Sequence, residues 1–551
     1  MLSDGVNELS IERVLRKIGG RRYGAYRELL GVEQVVDGIE IKVVKVQSDP
    51  YAPPSVVKLT SRIEVPKWAL EHPVALADWI YRRLFRELKK VRRKVGEGHS
   101  GYLGIPEPSP VMIRRSGVEI VGNYVIARVW VGLPSKRRRV LGEEAREILL
   151  EKLPRAFKKA TDYRSSVESL RKHVDAWIEQ EFIRSSLPRL GLVAFVGDGS
   201  ILPREGGSQR PLPSAEPFQS PPSLRIEVEL PTGRTVTGMG IPKGLTLVIG
   251  PAFHGKTTLL EALAAGVYNH VPGDGREFVV TIREAIYVST EEGRFVTCVD
   301  VSPFIKGLPN GGSTECLTTR DASGATSVAA SIQEAVEVGA KLLLLDEDTV
   351  ATNILFEDPD VVKRIYGSRT VAPITSLAKS MASHGISIVI ASSGSKQLLK
   401  ASSIVIEMHK YLPRDVTKHA KEMAMEVEML EESYSEPKPR ILVKAPRLAK
   451  PRIRGCRLED KSLPISIDLC TNIQLYEETQ LNTLREVAKI LPKYEGMSIS
   501  EIARTIERTI INEGFAKLLG KEPGPDLGEV RALDVAFLIN RLPIKVEQFH
   551  R

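Results

Sequence analysis

Strand-length apolar runs alternate along the chain with segments of helical periodicity, and this pattern predicts an α/β protein. Runs typical of buried strands occur at residues 39–46, 125–131, 245–249, 341–345 and 386–390. Helical periodicity is found at residues 143–153, at 258–268 and through most of 475–541. No apolar run reaches the roughly eighteen residues that a membrane-spanning helix requires. The pattern therefore predicts a protein without a membrane segment.

Breaks in this pattern predict four segments. A stretch rich in Gly, Pro and Ser at residues 197–223 follows the first group of strands and helices. Prolines and basic residues then interrupt the pattern near residue 440. We expect an N-terminal α/β domain (1–190), a central core (191–435), a basic proline-containing strap (436–460) and a helical C-terminal region (461–551).

The core prediction depends on residues 250–257, which read Gly-Pro-Ala-Phe-His-Gly-Lys-Thr directly after the strand candidate 245–249. This is a complete G-x-x-x-x-G-K-[ST] phosphate-binding loop. In such a loop Lys256 reaches the terminal phosphates, the Thr257 hydroxyl binds Mg²⁺, and the following helix adds its positive dipole end. The predicted ATP ligands are Gly250, His254, Gly255, Lys256, Thr257 and Thr258.

A second motif lies downstream, where the apolar run 341–345 ends in Asp346-Glu347-Asp348. In nucleotide-hydrolysing sheets an Asp here holds the magnesium shell and the next Glu polarises the attacking water. We therefore predict Asp346 and Thr257 as magnesium ligands, and Glu347, Asp346 and Lys256 as the catalytic residues. The alternative is a buried strand followed by a solvated acidic turn.

Between the two motifs lies a Ser323-Gly324 turn at the start of a helical pattern. In ATP-binding-cassette (ABC) ATPases such a turn donates N–H groups to the terminal phosphate of ATP held on another subunit. The Ser323 hydroxyl can cap the helix, and Gly324 lets the backbone approach a phosphate closely. Because the chain has one loop and one turn, two complete sites require a homodimer. The alternative is a plain helix cap.

Longer runs resemble one family, the predicted ATPases of the ABC class. The similar runs are residues 49–55, 131–134, 191–196, 198–204, 217–221, 238–244, 266–270, 272–278, 346–348 and 351–353. The resemblance implies a stand-alone ABC-type ATPase core with a domain before it and a helical region after it. It also implies an association with RNA handling in at least one branch of the family.

The chain departs from transporter cassettes after the strand candidate 386–390. There Ser392 stands where transporter cassettes carry a switch histidine. The Ser-Gly turn also lacks their second glycine and their glutamine. Both differences leave open a slow ATPase, or a clamp that holds ATP structurally.

Basic side chains are concentrated in three segments, residues 82–94, 136–139 and 438–457. Lys and Arg contacts to phosphates dominate nucleic-acid affinity, so these clusters favour a polyanion-binding surface over three solvated charged faces. The predicted nucleic-acid contacts are Arg82, Arg86, Lys90, Arg93, Arg137, Arg138, Arg447, Lys450, Arg452 and Arg454.

Composition adds three expectations. The four cysteines and nine histidines show no metal-ligand spacing, so we expect neither a zinc site nor a disulfide framework. Nine Asn and ten Gln against 147 charged residues suggest a thermophilic source. The charged start, residues 1–16, is unlike a secretion signal and predicts a cytoplasmic protein.

Together these patterns predict a cytoplasmic, homodimeric ATPase that uses ATP and Mg²⁺ and acts on nucleic acid, with RNA favoured over DNA. Three alternatives remain besides slow hydrolysis. They are a clamp with structural ATP, a DNA-repair cassette ATPase, and the motor subunit of a transporter.

Overall fold

The computed structural model describes residues 10–308, 311–366 and 369–549, so the first nine residues of the charged start lie outside the described residues. The chain forms two compact units. One contains residues 10–175, 477–483 and 509–529, and the other contains residues 176–476, 484–508 and 530–549. Residues of the predicted helical C-terminal region occur in both units, and the limits of the four predicted segments stay a prediction.

The helices are short in most of the chain. In chain order they are α1 (Ile11–Ile18), α2 (Lys67–Leu70), α3 (Pro73–Val91), α4 (Gly142–Glu147), α5 (Leu153–Thr161), α6 (Val167–Ser186), α7 (Lys256–Ala265), α8 (Gly324–Val338), α9 (Thr352–Leu355), α10 (Pro359–Val361), α11 (Ile374–Ser383), α12 (Lys396–Ala401), α13 (Thr417–Met423), α14 (Glu478–Ile490), α15 (Ile499–Asn512), α16 (Phe515–Leu519) and α17 (Ala532–Ile539). Turns of 3₁₀ helix occur at Tyr23–Leu29, Arg164–Ser166, Pro222–Leu224 and Leu491–Tyr494, and π-helical turns at Ile148–Lys152 and Val362–Tyr366. Within the described ranges, every helix is too short or too polar to traverse a lipid bilayer.

The first unit is built on an antiparallel sheet. Its strands are β1 (Glu33–Val36), β2 (Ile39–Lys45), β3 (Ser55–Arg62), β4 (Leu103–Gly104), β5 (Val111–Met112), β6 (Val118–Val121), β7 (Tyr124–Val131), β8 (Ser135–Lys136) and β9 (Arg139–Val140). The sheet order is β1-β2-β3-β7-β4, and β6 pairs with β7. Apolar residues alternate with polar ones along β2, as expected of a strand with one face toward a core.

The second unit contains two larger sheets and several small ones. Its strands are β10 (Leu192–Gly197), β11 (Arg225–Glu229), β12 (Thr235–Pro242), β13 (Leu245–Ile249), β14 (Asn269–His270), β15 (Val279–Thr281), β16 (Ala285–Val288), β17 (Val296–Val299), β18 (Leu317–Thr319), β19 (Leu342–Asp346), β20 (Ser387–Ala391), β21 (Ile404–His409), β22 (Leu412–Asp415), β23 (Arg440–Lys444), β24 (Arg452–Arg454), β25 (Arg457–Glu459), β26 (Ile467–Asp468) and β27 (Lys545–Gln548). One sheet is antiparallel, in the order β11-β12-β10-β15.

The other large sheet holds the candidate site, and its order is β16-β19-β20-β13-β21-β22. All its neighbouring strands are parallel except β21 and β22. Helices α7, α11 and α12 pack against it. A parallel strand is buried on both faces, which explains why β19 is an uninterrupted apolar run up to its final Asp346. The predicted α/β fold with a phosphate-loop core is confirmed.

The expectation of no disulfides is wrong. Cys298 is bonded to Cys316, and Cys456 to Cys470. Antiparallel pairing of β17 with β18 and of β25 with β26 brings the partners together, with Cα separations of 4.0 and 5.3 Å. Sequence separations of 18 and 14 residues carry no motif that could reveal such pairing.

Candidate active site

Three motifs meet at one edge of the parallel sheet because their strands are neighbours. The phosphate loop follows β13, the acidic turn follows β19, and a Ser392-Ser393 turn follows β20, which lies between the other two. The carboxyl ends of parallel strands share an edge, where open α/β sheets bind ligands. A cavity of about 800 Å³ opens there. It is lined by Ile249, Gly250, Pro251, Ala252, Phe253, Gly255, Lys256, Thr257, Thr258, Asp346, Glu347, Asp348, Ser392, Ser393, Glu407 and Tyr411.

Two glycines shape the phosphate loop. Gly250 has φ 144°, and a Cβ there would lie 2.4 Å from the Met408 carbonyl oxygen. Gly255 caps helix α7 with φ 99°, and a Cβ there would lie 2.6 Å from Cδ1 of Tyr411. Both positions combine a left-handed backbone with close packing, so a side chain is excluded at each. Helix α7 begins at Lys256, directly after Gly255, so its first turn is part of the loop motif.

Lys256 lies within the curve of the loop. Its Nζ donates hydrogen bonds to the carbonyl oxygens of Gly250 (2.7 Å) and Pro251 (3.1 Å). Thr258 follows one residue after Thr257 on α7 and also lines the cavity. A cation and the positive end of a helix thus point at the same space, which is the arrangement that binds phosphate groups.

Thr257 and Asp346 form a direct link between the two nucleotide motifs. The Thr257 Oγ1 donates a 2.7 Å hydrogen bond to Oδ2 of Asp346. Asp346 is buried, and its Oδ1 accepts a hydrogen bond from the Asp348 backbone N–H. A hydroxyl and a carboxylate side by side supply the hard oxygen ligands that Mg²⁺ prefers, so these residues fit the predicted metal.

Glu347 is held by the turn that replaces the switch histidine. Its Oε2 accepts hydrogen bonds from the Ser392 hydroxyl (2.7 Å), the Ser393 backbone N–H (2.8 Å) and the Ser393 hydroxyl (3.0 Å). The Gly394 N–H donates to Ser392 Oγ and fixes the direction of that hydroxyl. Burial raises the pKa of Glu347, but these hydrogen bonds and the charge of Lys256 outweigh it and hold the pKa below its ordinary value.

The sequence marks Ser392 as the replacement of the switch histidine, but it gives no sign of a role for Ser393. No motif marks a serine that reaches the acidic turn of a neighbouring strand. The signal available was the position of both serines directly after β20, because β20 pairs with β19 through Ala391 and Asp346.

His254 does not line the cavity, although it belongs to the predicted phosphate loop. Its ring meets His409 edge to face, with 5.2 Å between ring centroids. Its Nδ1 accepts a hydrogen bond from the Lys410 N–H, and its carbonyl oxygen accepts one from the Tyr411 N–H. The His254 side chain therefore anchors the β21–β22 turn to the loop.

The Ser323-Gly324 turn is separate from this cavity. Ser323 is the N-cap of α8, and its hydroxyl accepts a hydrogen bond from the Thr326 N–H. Ser323 is exposed at the surface of the second unit. Neither residue of the turn is part of the cavity lining.

The predicted nucleic-acid residues differ in their surroundings. Arg82 donates hydrogen bonds to Asp78 and to the carbonyl oxygens of Ser109 and Val111. Its guanidinium is therefore engaged in contacts within the first unit. Arg86 donates to the Arg82 carbonyl, Lys90 pairs with Glu87, and Arg454 pairs with Glu459. In the part of the chain that the structure describes, no acidic side chain pairs with the exposed Arg93, Arg137, Arg138, Arg447, Lys450 or Arg452.

Comparison with known families shows the family to which the chain belongs. A model of the ABC_ATPase family, described as its P-loop domain, matches residues 166–444 and so half of the chain. A model of the N-terminal domain of ATPases of the ABC class matches residues 9–164. The chain belongs to the ATPases of the ABC class. The resemblance seen in the sequence is thereby confirmed.

Individual similar proteins add little about this ABC-class ATPase. It is 34% identical over 260 residues to the uncharacterized protein MJ1628 of Methanocaldococcus jannaschii, an alignment that spans 45% of this chain and 57% of the relative. A solved structure, the ADP conformation of MJ1267, an ATP-binding cassette of an ABC transporter, is 12% identical. It covers 43% of this chain and 95% of that one with a TM-score of 0.25, which is too low to carry an argument.

Proposed function

We propose that this ABC-class ATPase binds ATP with Mg²⁺ at the ends of β13 and β19 and hydrolyses it. The observation that carries the proposal is the 2.7 Å hydrogen bond between Thr257 and Asp346, with Glu347 fixed beside it. A phosphate loop, a magnesium pair and a positioned carboxylate are the three parts that phosphoryl transfer to water requires.

Each part has its own task in the proposed reaction. Loop N–H groups, the start of α7 and the Lys256 ammonium bind the phosphates. Thr257 and Asp346 would hold the Mg²⁺, which when bound neutralises negative charge on the phosphates. Glu347 accepts three hydrogen bonds at Oε2, so its Oε1 is the atom that orients water and receives its proton.

The site is proposed to be completed by a second copy of the chain. Ser323 and Gly324 begin a fifteen-residue helix whose N–H groups suit a phosphate, yet they do not line the cavity that holds Lys256. A contact from this turn to a terminal phosphate therefore comes from a partner subunit. ATP held in this way would bind more tightly to the dimer than to the single subunit, and this difference in affinity would favour the dimer.

Nucleic acid is the proposed cargo, and RNA is favoured through the family resemblance. The support is the set of predicted contacts that are exposed and have no acidic partner among the described residues. Arg137 and Arg138 of this set lie in the β8–β9 turn of the first unit, and Lys450 and Arg452 lie in or beside β24 of the second. Such cations are free to release counterions on binding phosphates.

A clamp with structural ATP is the second candidate, and Glu347 favours it. The three hydrogen bonds at Oε2 help to lower the pKa of the Glu347 carboxyl group, and a carboxylate of lower pKa is a weaker base, which would slow proton transfer to Oε1. Steady-state ATPase assays with and without RNA separate the two functions. Turnover that depends on Mg²⁺ supports the enzyme, whereas stoichiometric ATP binding without turnover supports the clamp.

Competition experiments address the remaining alternatives. Preference for duplex DNA over RNA would favour a DNA-repair ATPase. Failure to bind either at physiological salt would favour a transporter motor subunit and would contradict the proposed cargo.

A further inference from the structure

Two aromatic rings stand at the rim of the phosphate cavity. Phe253 lies in the phosphate loop and is 94% exposed, and Tyr411 lies in the turn between β21 and β22 and is 38% exposed. They are the aromatic members of the cavity lining in the described part of the chain. The lining residues around Lys256 and Asp346 are otherwise small, aliphatic, polar or charged.

Both aromatic residues have a left-handed backbone, with φ 66° at each. A bulky residue in this conformation is strained, and such strain persists where function or packing fixes it. Phe253 has almost no packing that could require a ring at this position. The exposed and strained phenylalanine is therefore better explained by a ligand than by the stability of the fold.

The turn that carries Tyr411 is held against the phosphate loop that carries Phe253. The Tyr411 N–H donates a 3.0 Å hydrogen bond to the His254 carbonyl oxygen, and the Lys410 N–H donates to His254 Nδ1 at 3.2 Å. Tyr411 also packs against Gly255, where it leaves no room for a side chain. These contacts tie the turn to the loop, so Tyr411 lies next to the loop that carries Phe253.

We propose that Phe253 and Tyr411 bind the base of the nucleotide whose phosphates the loop holds, an inference that rests on the proposed ATP site. Aromatic rings next to a phosphate-binding loop are suited to a nucleotide, which has charged phosphates at one end and a planar base at the other. Stacking uses the π-face that every base possesses, and purines offer the larger face. The site therefore prefers purine over pyrimidine nucleotides.

The test compares ATP with inorganic tripolyphosphate, which has the phosphate chain and no base. Binding of each is measured by calorimetry with Mg²⁺ for wild type, Phe253→Ala, Phe253→Trp and Tyr411→Ala. Tyr124→Ala is the control, because Tyr124 is an exposed aromatic residue of the other unit. We expect Phe253→Ala and Tyr411→Ala to weaken ATP binding about tenfold each. Tripolyphosphate binding stays unchanged, and the Trp variant and the control bind ATP like wild type.

Phe253→Gly separates a role in binding from a role in folding. Glycine relieves the strain at positive φ, so the melting temperature rises while ATP binding weakens as in Phe253→Ala. A structural phenylalanine would instead lose stability in both the Ala and the Gly variant.

Three results would overturn the proposal in distinguishable ways. Unchanged ATP affinity in the Ala variants, with tripolyphosphate bound normally, removes the aromatic site and leaves the phosphate site intact. Unchanged affinity together with weaker self-association assigns Phe253 to a subunit interface. If wild type binds neither ATP nor tripolyphosphate, the proposed function fails and this inference fails with it.

Discussion

Two regions of the molecule differ in how far their function can be predicted from the sequence. One is the sheet edge with the phosphate loop, and the other is the basic strap (residues 436–460). At the sheet edge, the residue types, their spacing and their order along parallel strands bring Lys256, Thr257 and Asp346 together. In the strap, basic composition alone does not decide what each side chain does. Arg440 is buried against Glu337, whereas Arg447 is exposed. Order along a sheet therefore predicts a site, and charge density predicts only a candidate surface.

The largest expected effect tests the sheet edge through Glu347→Gln. Removing the proposed base lowers ATP turnover about 100- to 10,000-fold, while ATP binding is retained because the phosphate contacts remain. Single-turnover hydrolysis and calorimetry measure the two properties. Glu426→Gln, an exposed acid on the same unit, is the control and keeps normal turnover. Normal hydrolysis by Glu347→Gln would remove the catalytic assignment.

Within the strap, Arg440→Gln and Arg447→Gln sharpen the contrast between structural and surface cations. Arg440 donates to Glu337, to the Thr297 carbonyl oxygen and to Asn540. Its loss leaves a buried carboxylate unpaired, which we expect to lower the free energy of unfolding by about 3–5 kcal/mol. Arg447→Gln should change it by less than about 0.5 kcal/mol. Chemical denaturation measures both, and equal effects would contradict the distinction.

The salt dependence of RNA binding tests whether the exposed part of the strap contacts phosphates. Neutralising Arg447, Lys450, Arg452 and Arg454 should flatten the slope of log K against log salt by up to about 3 units, because each lost contact to a single strand releases about 0.7 fewer counterions. Four exposed basic residues outside the predicted clusters serve as the matched control: Arg155, Lys158, Lys159 and Lys172. Equal slopes for both sets would mean that the strap is only solvated.

The smallest expected effect concerns Ser392→Ala, which probes how the neighbouring strand orients Glu347. One of three donors to Oε2 is lost, and the two from Ser393 remain. We expect kcat to fall about tenfold with little change in KM, because the lost hydrogen bond orients the base and not the bound nucleotide. Ser392→Thr keeps the hydroxyl and should restore the rate. A change in KM alone would place Ser392 in nucleotide binding instead.

The parts of the fold that local pattern encodes could be predicted from the sequence. The strand Leu245–Ile249 has the predicted bounds, and α7 starts at Lys256, two residues before its predicted start. Both are short-range features, set by apolar runs and by glycine. They also position the residues whose roles remain predictions.

Long-range pairing explains what could not be predicted. The bond between Cys456 and Cys470 depends on the register of β25 and β26, and the three contacts of Glu347 depend on which strand lies beside β19. The inward position of Arg82 depends on Asp78 and on carbonyl groups nearly thirty residues away along the chain. None of these partners is marked by spacing in the sequence.

A mixing experiment tests the central claim, that ATP is hydrolysed in a site shared by two copies of the chain. Lys256→Ala disables the phosphate loop, and Ser323→Arg blocks the proposed contact in trans, so each variant alone should be inactive. In an equal mixture half of the pairs are mixed, and each mixed pair has one intact site of two, which predicts a recovery of about a quarter of wild-type ATPase activity. Activity in Ser323→Arg alone, or a mixture as inactive as its components, would contradict a shared site.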